Sequence, residues 1–390
     1  MPGMANLNSS RLGYIDWMRG VACVLMFQTH CYDAWLSPLA KKSPFFIRSQ
    51  LLGTLPAPSF LFLAGISFAF ASDRSEKSGR AAKEITLSAI RRGSEILALG
   101  FLFRVQEYLI SFPWAPWTDL FRVDILNTIG VAMMMMAGVC WPCRMFLGRA
   151  APGAAPSLWL RAGAALGVAL LISLLTPLVW TVWRPTWLPW PIESYVDGVH
   201  NLGKPQGWLF PIFPWTGFAF IGLALGFLLL WARVRRIEAL TLRLAGGMGI
   251  LLITAGRWLD KGPQVYPLSD FWHTSPNFFL IRVGILLLVL STSYLWCRWG
   301  AGGRGFSPLI QLGQTSLLVY WVHIELVYGR FSILRKQAMG IGGASLGLLT
   351  IFLAMLLLSL ARTRLRGRAV KVRSWAHMSP GGIRIERAGQ

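Results

Sequence analysis

Arg11–Asp33 reads RLGYIDWMRGVACVLMFQTHCYD. It opens with charges at Arg11, Asp16 and Arg19, and runs apolar from Val21 to Phe27. It closes on Gln28, Thr29, His30, Cys31, Tyr32 and Asp33. A helix rises about 1.5 Å per residue, so roughly 20 residues cross a bilayer. Trp17–Leu36 is one such length and predicts a first membrane helix, with Asp16 and Arg19 at one face of the bilayer and His30 near the other. Ionisable groups this close to hydrocarbon are costly and point to function. Asp16 and Arg19 also read as a local i, i+3 pair that anchors a helix end. No run of small residues marks a cleavage site, so the segment is expected to be a retained helix rather than a signal peptide.

The rest of the chain keeps this character. Of 390 residues, 54% are hydrophobic and 14% charged, and 19 are tryptophan. This predicts an all-α, polytopic integral membrane protein rather than a soluble two-domain one. About ten transmembrane helices are expected, at 17–36, 52–72, 86–111, 125–142, 158–181, 208–231, 239–256, 278–298, 309–328 and 339–361. The domain layout is a cytoplasmic N-terminus (1–16), a membrane domain (17–361) and a basic cytoplasmic tail (362–390). About two-thirds of the 38 lysines and arginines fall on the side that holds the N-terminus. With an even span count, this puts both termini in the cytoplasm. The net charge of +22 therefore reads as topology and gives no case for nucleic acid. The loops expected opposite (37–51, 112–124, 182–207, 257–277 and 329–338) are rich in Trp and Pro. Such residues form an aromatic belt at the membrane boundary, and some also suit a sugar-binding cleft. Five cysteines in such positions give no disulfide framework.

The polar residues at membrane depth are few. Towards the end of the bundle that holds His30 stand Asp33, Arg104, Glu107, Asp124, Asn127, Arg282, Tyr320, His323 and Glu325. Arg104 and Glu107 are spaced i, i+3 and can neutralise each other. Asp124 can cap the fourth span, and Asn127 is expected to face the same way one turn deeper. His30 and His323 approach one depth from different helices and predict a shared polar cavity. Towards the other end lie Asp16, Arg19, Arg91 and Arg92, where arginine suits phosphate binding or simply fixes topology. Cys140 and Cys143 form a lone C-x-x-C with no second pair for zinc, so no metal is expected. There is no P-loop, G-x-S-x-G or H-E-x-x-H.

Arg11–Asp33 also resembles the first helix of membrane acyltransferases, through R-x-x-x-I-D-x-x-R-G and the histidine about eleven residues later. Further stretches follow in order: PAPSFLFLAG at 56–65, VDILNTIG at 123–130, FPIFPWTG at 210–217 and LGQTSLLVYWVH at 312–323. Together they resemble the heparan-α-glucosaminide N-acetyltransferase-like family. The acyltransferase-3 and periplasmic-glucan succinyltransferase families are similar in the same places. Asn127 stands where the family usually has Gln. The animal enzyme has Asn where His30 falls, so the role of His30 is not carried over from that enzyme.

The resemblance implies an enzyme that moves an acyl group, acetyl in the first instance, from cytoplasmic acyl-CoA to a sugar or glycan across the membrane. The acyl-CoA is a co-substrate, the lipid bilayer and a carbohydrate acceptor are the partners, and the multi-pass chain would sit in a bacterial inner membrane. Under that reading His30 deprotonates the acceptor or carries the acyl group, with His323 the competing catalytic residue and Asp33 or Glu325 orienting the imidazole. Asp124, Asn127, Arg104, Glu107 and Trp215 would hold the acceptor, and Asp16, Arg19, Arg91 and Arg92 the donor. The alternative from another class is a transporter of a small polar or lipid-linked substrate, which commonly shows repeated halves and broken helices; no repeat is visible. A non-catalytic scaffold would leave the buried charges unexplained.

Overall fold

A computed structural model describes residues 12–146, 155–183, 185–198, 210–299 and 306–376; Arg11 and the end of the basic tail lie outside them. Among the described residues there are thirteen α-helices. The long ones are α1 (Gly13–Trp35), α3 (Pro56–Lys77), α4 (Ala82–Ser111), α5 (Ile125–Phe146), α6 (Ala155–Thr181), α8 (Ile212–Val234), α9 (Glu238–Leu259), α10 (Pro276–Trp299) and α13 (Ile341–Ala376). Shorter ones are α2 (Pro44–Gly53), α7 (Trp190–Asp197), α11 (Pro308–Gln314) and α12 (Ser316–Val327). An isolated bridge between Leu36 and Met339 is the sole β-type pairing among the described residues.

Seven helical segments are long and apolar enough to cross a membrane: 44–77, 117–146, 157–181, 212–234, 238–259, 276–299 and 341–365. The chain is therefore a polytopic membrane protein. Every expected span falls on a helix, but α1, α4 and the α11–α12 pair are not among the seven. Helix α1 carries Asp16, Arg19 and Asp33, α4 carries Arg91, Arg92, Glu95, Arg104 and Glu107, and α12 is only 12 residues long. Polar side chains lower the hydropathy of α1 and α4, whereas α12 is apolar and simply short.

The local sequence differs from expectation in three places. The loop expected at 37–51 contains α2, started by Pro44 at its first position and by the Ser43 side chain, which accepts from the Phe46 amide. The expected ninth span is broken at Thr315 (φ −119°, ψ 19°) into α11 and α12. Hydrogen bonds to α13 support the break: Gln311 Nε2 to Ser359 Oγ (2.9 Å) and Thr315 Oγ1 with Ser359 Oγ (2.6 Å). Finally, α13 runs on through 361 to Ala376, so the backbone has no boundary where the tail was expected to begin.

Burial orders the bundle. Two-thirds (67%) of the apolar window of α8 is buried, against 28% for α13 and 33% for α9, so α8 is central and the other two face outward. Small residues let the backbones meet. A methyl group at Gly20 or Gly313 would occupy the space of the Leu309 or Asp16 carbonyl, which locks α11 against the Asp16–Arg19 end of α1. Gly65 and Gly222 do the same where α3 crosses α8. Helices α1, α3, α4, α5 and α12 thereby gather the polar residues.

Candidate functional site

The polar side chains of α1 come first. Its Arg19 Nη1 donates to Asp16 Oδ1 at 3.0 Å and Nη2 to Ser67 Oγ of α3 at 3.3 Å. The carboxylate is buried (4% exposed) and the guanidinium partly exposed (21%). Eleven residues on, or about 16 Å along the helix, His30 meets His323 of α12. The Nδ1 of His30 lies 2.9 Å from Nε2 of His323. The rings are parallel within 3°, with centroids 5.1 Å apart. His323 is fully buried, its Nδ1 lies 2.9 Å from the Val319 carbonyl, and its ring packs on Phe27.

Asp33, one turn beyond His30, does not reach the imidazole. It accepts from Tyr328 Oη at 2.8 Å and Lys41 Nζ at 3.1 Å. Tyr328 in turn sets its ring edge-on to His30, with centroids 5.4 Å apart. Asp33 thus acts on His30 only through Tyr328. Glu325 is also turned away, accepting from Gln106 Nε2 at 2.8 Å. Gln106 Oε1 accepts from Trp321 Nε1 at 2.9 Å, so one amide of α4 holds two side chains of α12.

A second network joins α4, α5 and α12. Asp124 accepts from Arg104 Nη2 at 2.7 Å and from Tyr320 Oη at 2.6 Å. Arg104 Nη1 pairs with Glu107 Oε2 at 3.3 Å. Arg104 and Asp124 are 10% and 7% exposed, so the pair is desolvated and each partner depends on the other. The Asp124 side chain therefore joins helices rather than capping its own. Asn127 also turns to α4, its carbonyl oxygen against Gly100 one turn from Arg104, but its Nδ2 donates to Tyr195 of α7 at 2.9 Å rather than joining the Asp124 network. Trp215 stands further off, over Arg282 (5.6 Å to the ring centroid) and against Phe210. The link to Asp124 runs through Thr128, which hydrogen-bonds the Phe210 carbonyl.

A cavity of about 520 Å³ lies between α1, α3, α4, α5 and α12. On α3 the lining runs from Phe60, on the side of Ile125 and Tyr320, to Ser75, on the side of Ile85 and Ser88; Arg19, bonded to Ser67, and Arg92 enter the wall between the two ends. From Phe60 to Ser75 along α3 it extends about 20 Å. Its wall is mostly apolar, with small residues Ala64, Ser67, Ala71 and Ser72 facing in from α3. Of the expected donor-side arginines, Arg19 and Arg92 reach this cavity. Arg91 does not; it points outward (84% exposed) and pairs with Glu95, as Arg92 also does. Tyr320, at the far end, is three residues from His323, with ring centroids 5.9 Å apart. The cavity therefore ends beside the histidine pair.

Sequence reasoning missed Gln106, Tyr328 and Ser67. Gln106 stands between Arg104 and Glu107 on a membrane helix, which was a usable signal; the other two give none without their partners. All five cysteines are free. Among the described residues no group of three His, Cys, Asp or Glu could hold a metal ion.

A helical membrane bundle with a histidine pair at the end of a cavity lined by Arg19 and Arg92 belongs to the class of integral membrane proteins that hold polar groups inside the bundle. The family model described as heparan-alpha-glucosaminide N-acetyltransferase, catalytic, matches residues 11–259. The match takes in well over half of the chain, and the chain belongs to that family; it is a membrane acyltransferase. Comparison with curated proteins gives no match. The matched region contains His30, Arg19, Asp124 and most of the cavity wall, while His323 and Tyr320 come from beyond it.

Proposed function

We propose that the protein transfers an acyl group, acetyl in the first instance, from acyl-CoA to a hydroxyl or amine of a sugar or glycan. The single observation that carries this reading is the cavity that runs from Ser75 past Arg19 to Tyr320. Its length suits an extended thioester arm, its arginines suit the phosphates of the donor, and its far end adjoins a histidine. The donor enters at the Ser75 end, passes Arg19 and Arg92, and presents its thioester at Tyr320. The acceptor arrives from the His30 end, where Asp124, Arg104, Glu107 and Asn127 shape the ground around it.

His30 is the general base. As it takes the acceptor proton, the acceptor oxygen or nitrogen bonds to the acyl carbon. The carbon–sulfur bond then breaks, and the departing thiolate recovers the proton from the imidazolium. A route in which the acyl group rests on the imidazole uses the same residue. The membrane domain comprises ten spans, with α11 and α12 together making the ninth. Both termini are cytoplasmic, and the host membrane is a bacterial inner membrane. Residues 1–16 precede this domain, and the basic tail from 362 follows it as the continuation of α13.

The test is transfer by the purified full chain in detergent or nanodiscs. Labelled acetyl-CoA is offered with a panel of hexosamines and polyols. Label on an acceptor supports the reading. Neither transfer nor acceptor-stimulated release of CoA, from protein that remains folded, counts against it.

A further inference from the structure

The hydrogen bonds around His323 decide which nitrogen of His30 does the chemistry. A backbone carbonyl only accepts, so His323 Nδ1, 2.9 Å from the Val319 oxygen, carries a proton. Neutral His323 then has its lone pair on Nε2. That atom faces His30 Nδ1 at 2.9 Å, so Nδ1 of His30 is the N–H that donates to it. The ring geometry agrees. Parallel planes with centroids 5.1 Å apart are too distant for face-to-face stacking and suit two imidazoles meeting edge to edge, with the N–H directed along the neighbour's lone pair. Both nitrogens of His323 are thereby engaged and its side chain is fully buried. His30 is only partly buried, and its Nε2 has no hydrogen-bond partner among the described residues.

We infer that Nε2 of His30 is the nitrogen that takes the acceptor proton or the acyl group, and that His323 is a positioning residue that fixes the tautomer and plane of His30 without touching substrate. The inference rests on the acyltransferase reading for its chemistry, but the tautomer is a property of the resting protein. The chain Val319 carbonyl–His323–His30 aligns one proton per link and leaves the free lone pair at its open end. An imidazole with nothing to hold its Nδ1–H would divide between tautomers, and only the fraction with a bare Nε2 would be ready to react.

The experiment reads the tautomer directly. Full-chain protein with ¹⁵N-labelled histidine is placed in lipid bilayers, and the imidazole nitrogens are followed by NMR; the His30→Ala spectrum assigns the missing pair. The expected result is His30 protonated at Nδ1 and bare at Nε2. A resting His30 protonated at Nε2 overturns the inference.

Kinetics with labelled acetyl-CoA and a hexosamine acceptor add a second arm. His323→Leu should lower kcat on the order of 10²-fold, the lower end of what a correctly held base provides, with KM values little changed. His323→Gln has one acceptor for His30 and one donor for Val319, and should recover at least ten-fold of that loss. Equal loss in both variants from folded protein contradicts the positioning role. The two readings fail separately. A bare Nε2 in a protein that transfers nothing removes the acyltransferase chemistry and keeps the tautomer; a protonated Nε2 in an active enzyme does the reverse.

Discussion

Arg19→Lys separates donor binding from helix anchoring. Among the described residues Arg19 makes two contacts that bear on this: Nη1 holds the buried Asp16 carboxylate at 3.0 Å, and Nη2 faces Ser67 in the cavity wall at 3.3 Å. Lysine can keep the first contact, because a charged amine at the same end of α1 still neutralises Asp16. It cannot keep the second while doing so, since it lacks the planar fork that would bind a phosphate in two places. A hydrogen bond to a charged group is worth about 1.5–3 kcal/mol, and about 1.4 kcal/mol is tenfold in affinity. KM for acetyl-CoA should therefore rise about 10- to 100-fold, while kcat, acceptor KM and the yield of folded protein hold. Alanine is the poorer probe, because it strips a pairing partner from a buried carboxylate and disturbs the fold as well as the cavity. The assay is initial-rate kinetics with each substrate varied in turn. A donor KM within twofold of wild type would refute the phosphate role and leave Arg19 as an anchor for Asp16.

Three further outcomes follow from the same geometry. Ala64→Phe narrows the 520 Å³ cavity one turn from Phe60 on α3 and should raise donor KM at least tenfold without lowering protein yield; unchanged donor kinetics would show that the cavity holds no donor. Asp124→Asn removes the countercharge 2.7 Å from Arg104. Because Glu107 at 3.3 Å keeps part of it, the thermal-unfolding loss should be about 1–3 kcal/mol, below the ~3–5 of a fully broken buried pair, and an unchanged melting profile would contradict the network. A C-terminal reporter should be active only when cytoplasmic; activity on the far side would invert the topology and the sidedness of both substrates.

Much of this site was readable in the chain, and the reasons for the rest are physical. Asp16, Arg19, His30 and His323 stand out because ionisable groups are rare in long apolar runs, and span length alone sets His30 and His323 at one depth. That they bond is a matter of how α1 and α12 rotate against each other, which no single-helix periodicity encodes. Asp33 or Glu325 was expected to orient His30, yet Tyr328 and Lys41 capture the Asp33 carboxylate and Gln106 that of Glu325. The break at Thr315 is hidden because 309–328 is apolar on both sides of it, and its support comes from Ser359, 44 residues further on. The stripe Ala64, Ser67, Ala71 and Ser75 on α3 is visible as small residues at helical spacing. In sequence it reads as close packing, as at Gly65 against α8, whereas on this face it borders empty space.

The central claim is that His30 carries the transfer. The most direct test compares the initial rate from labelled acetyl-CoA to a hexosamine in wild type and in His30→Ala, with folding checked by thermal unfolding in the same detergent. The account predicts a fall of about 10²–10⁴-fold with donor affinity retained, since the cavity wall does not include His30. Near-normal turnover by folded His30→Ala would contradict it.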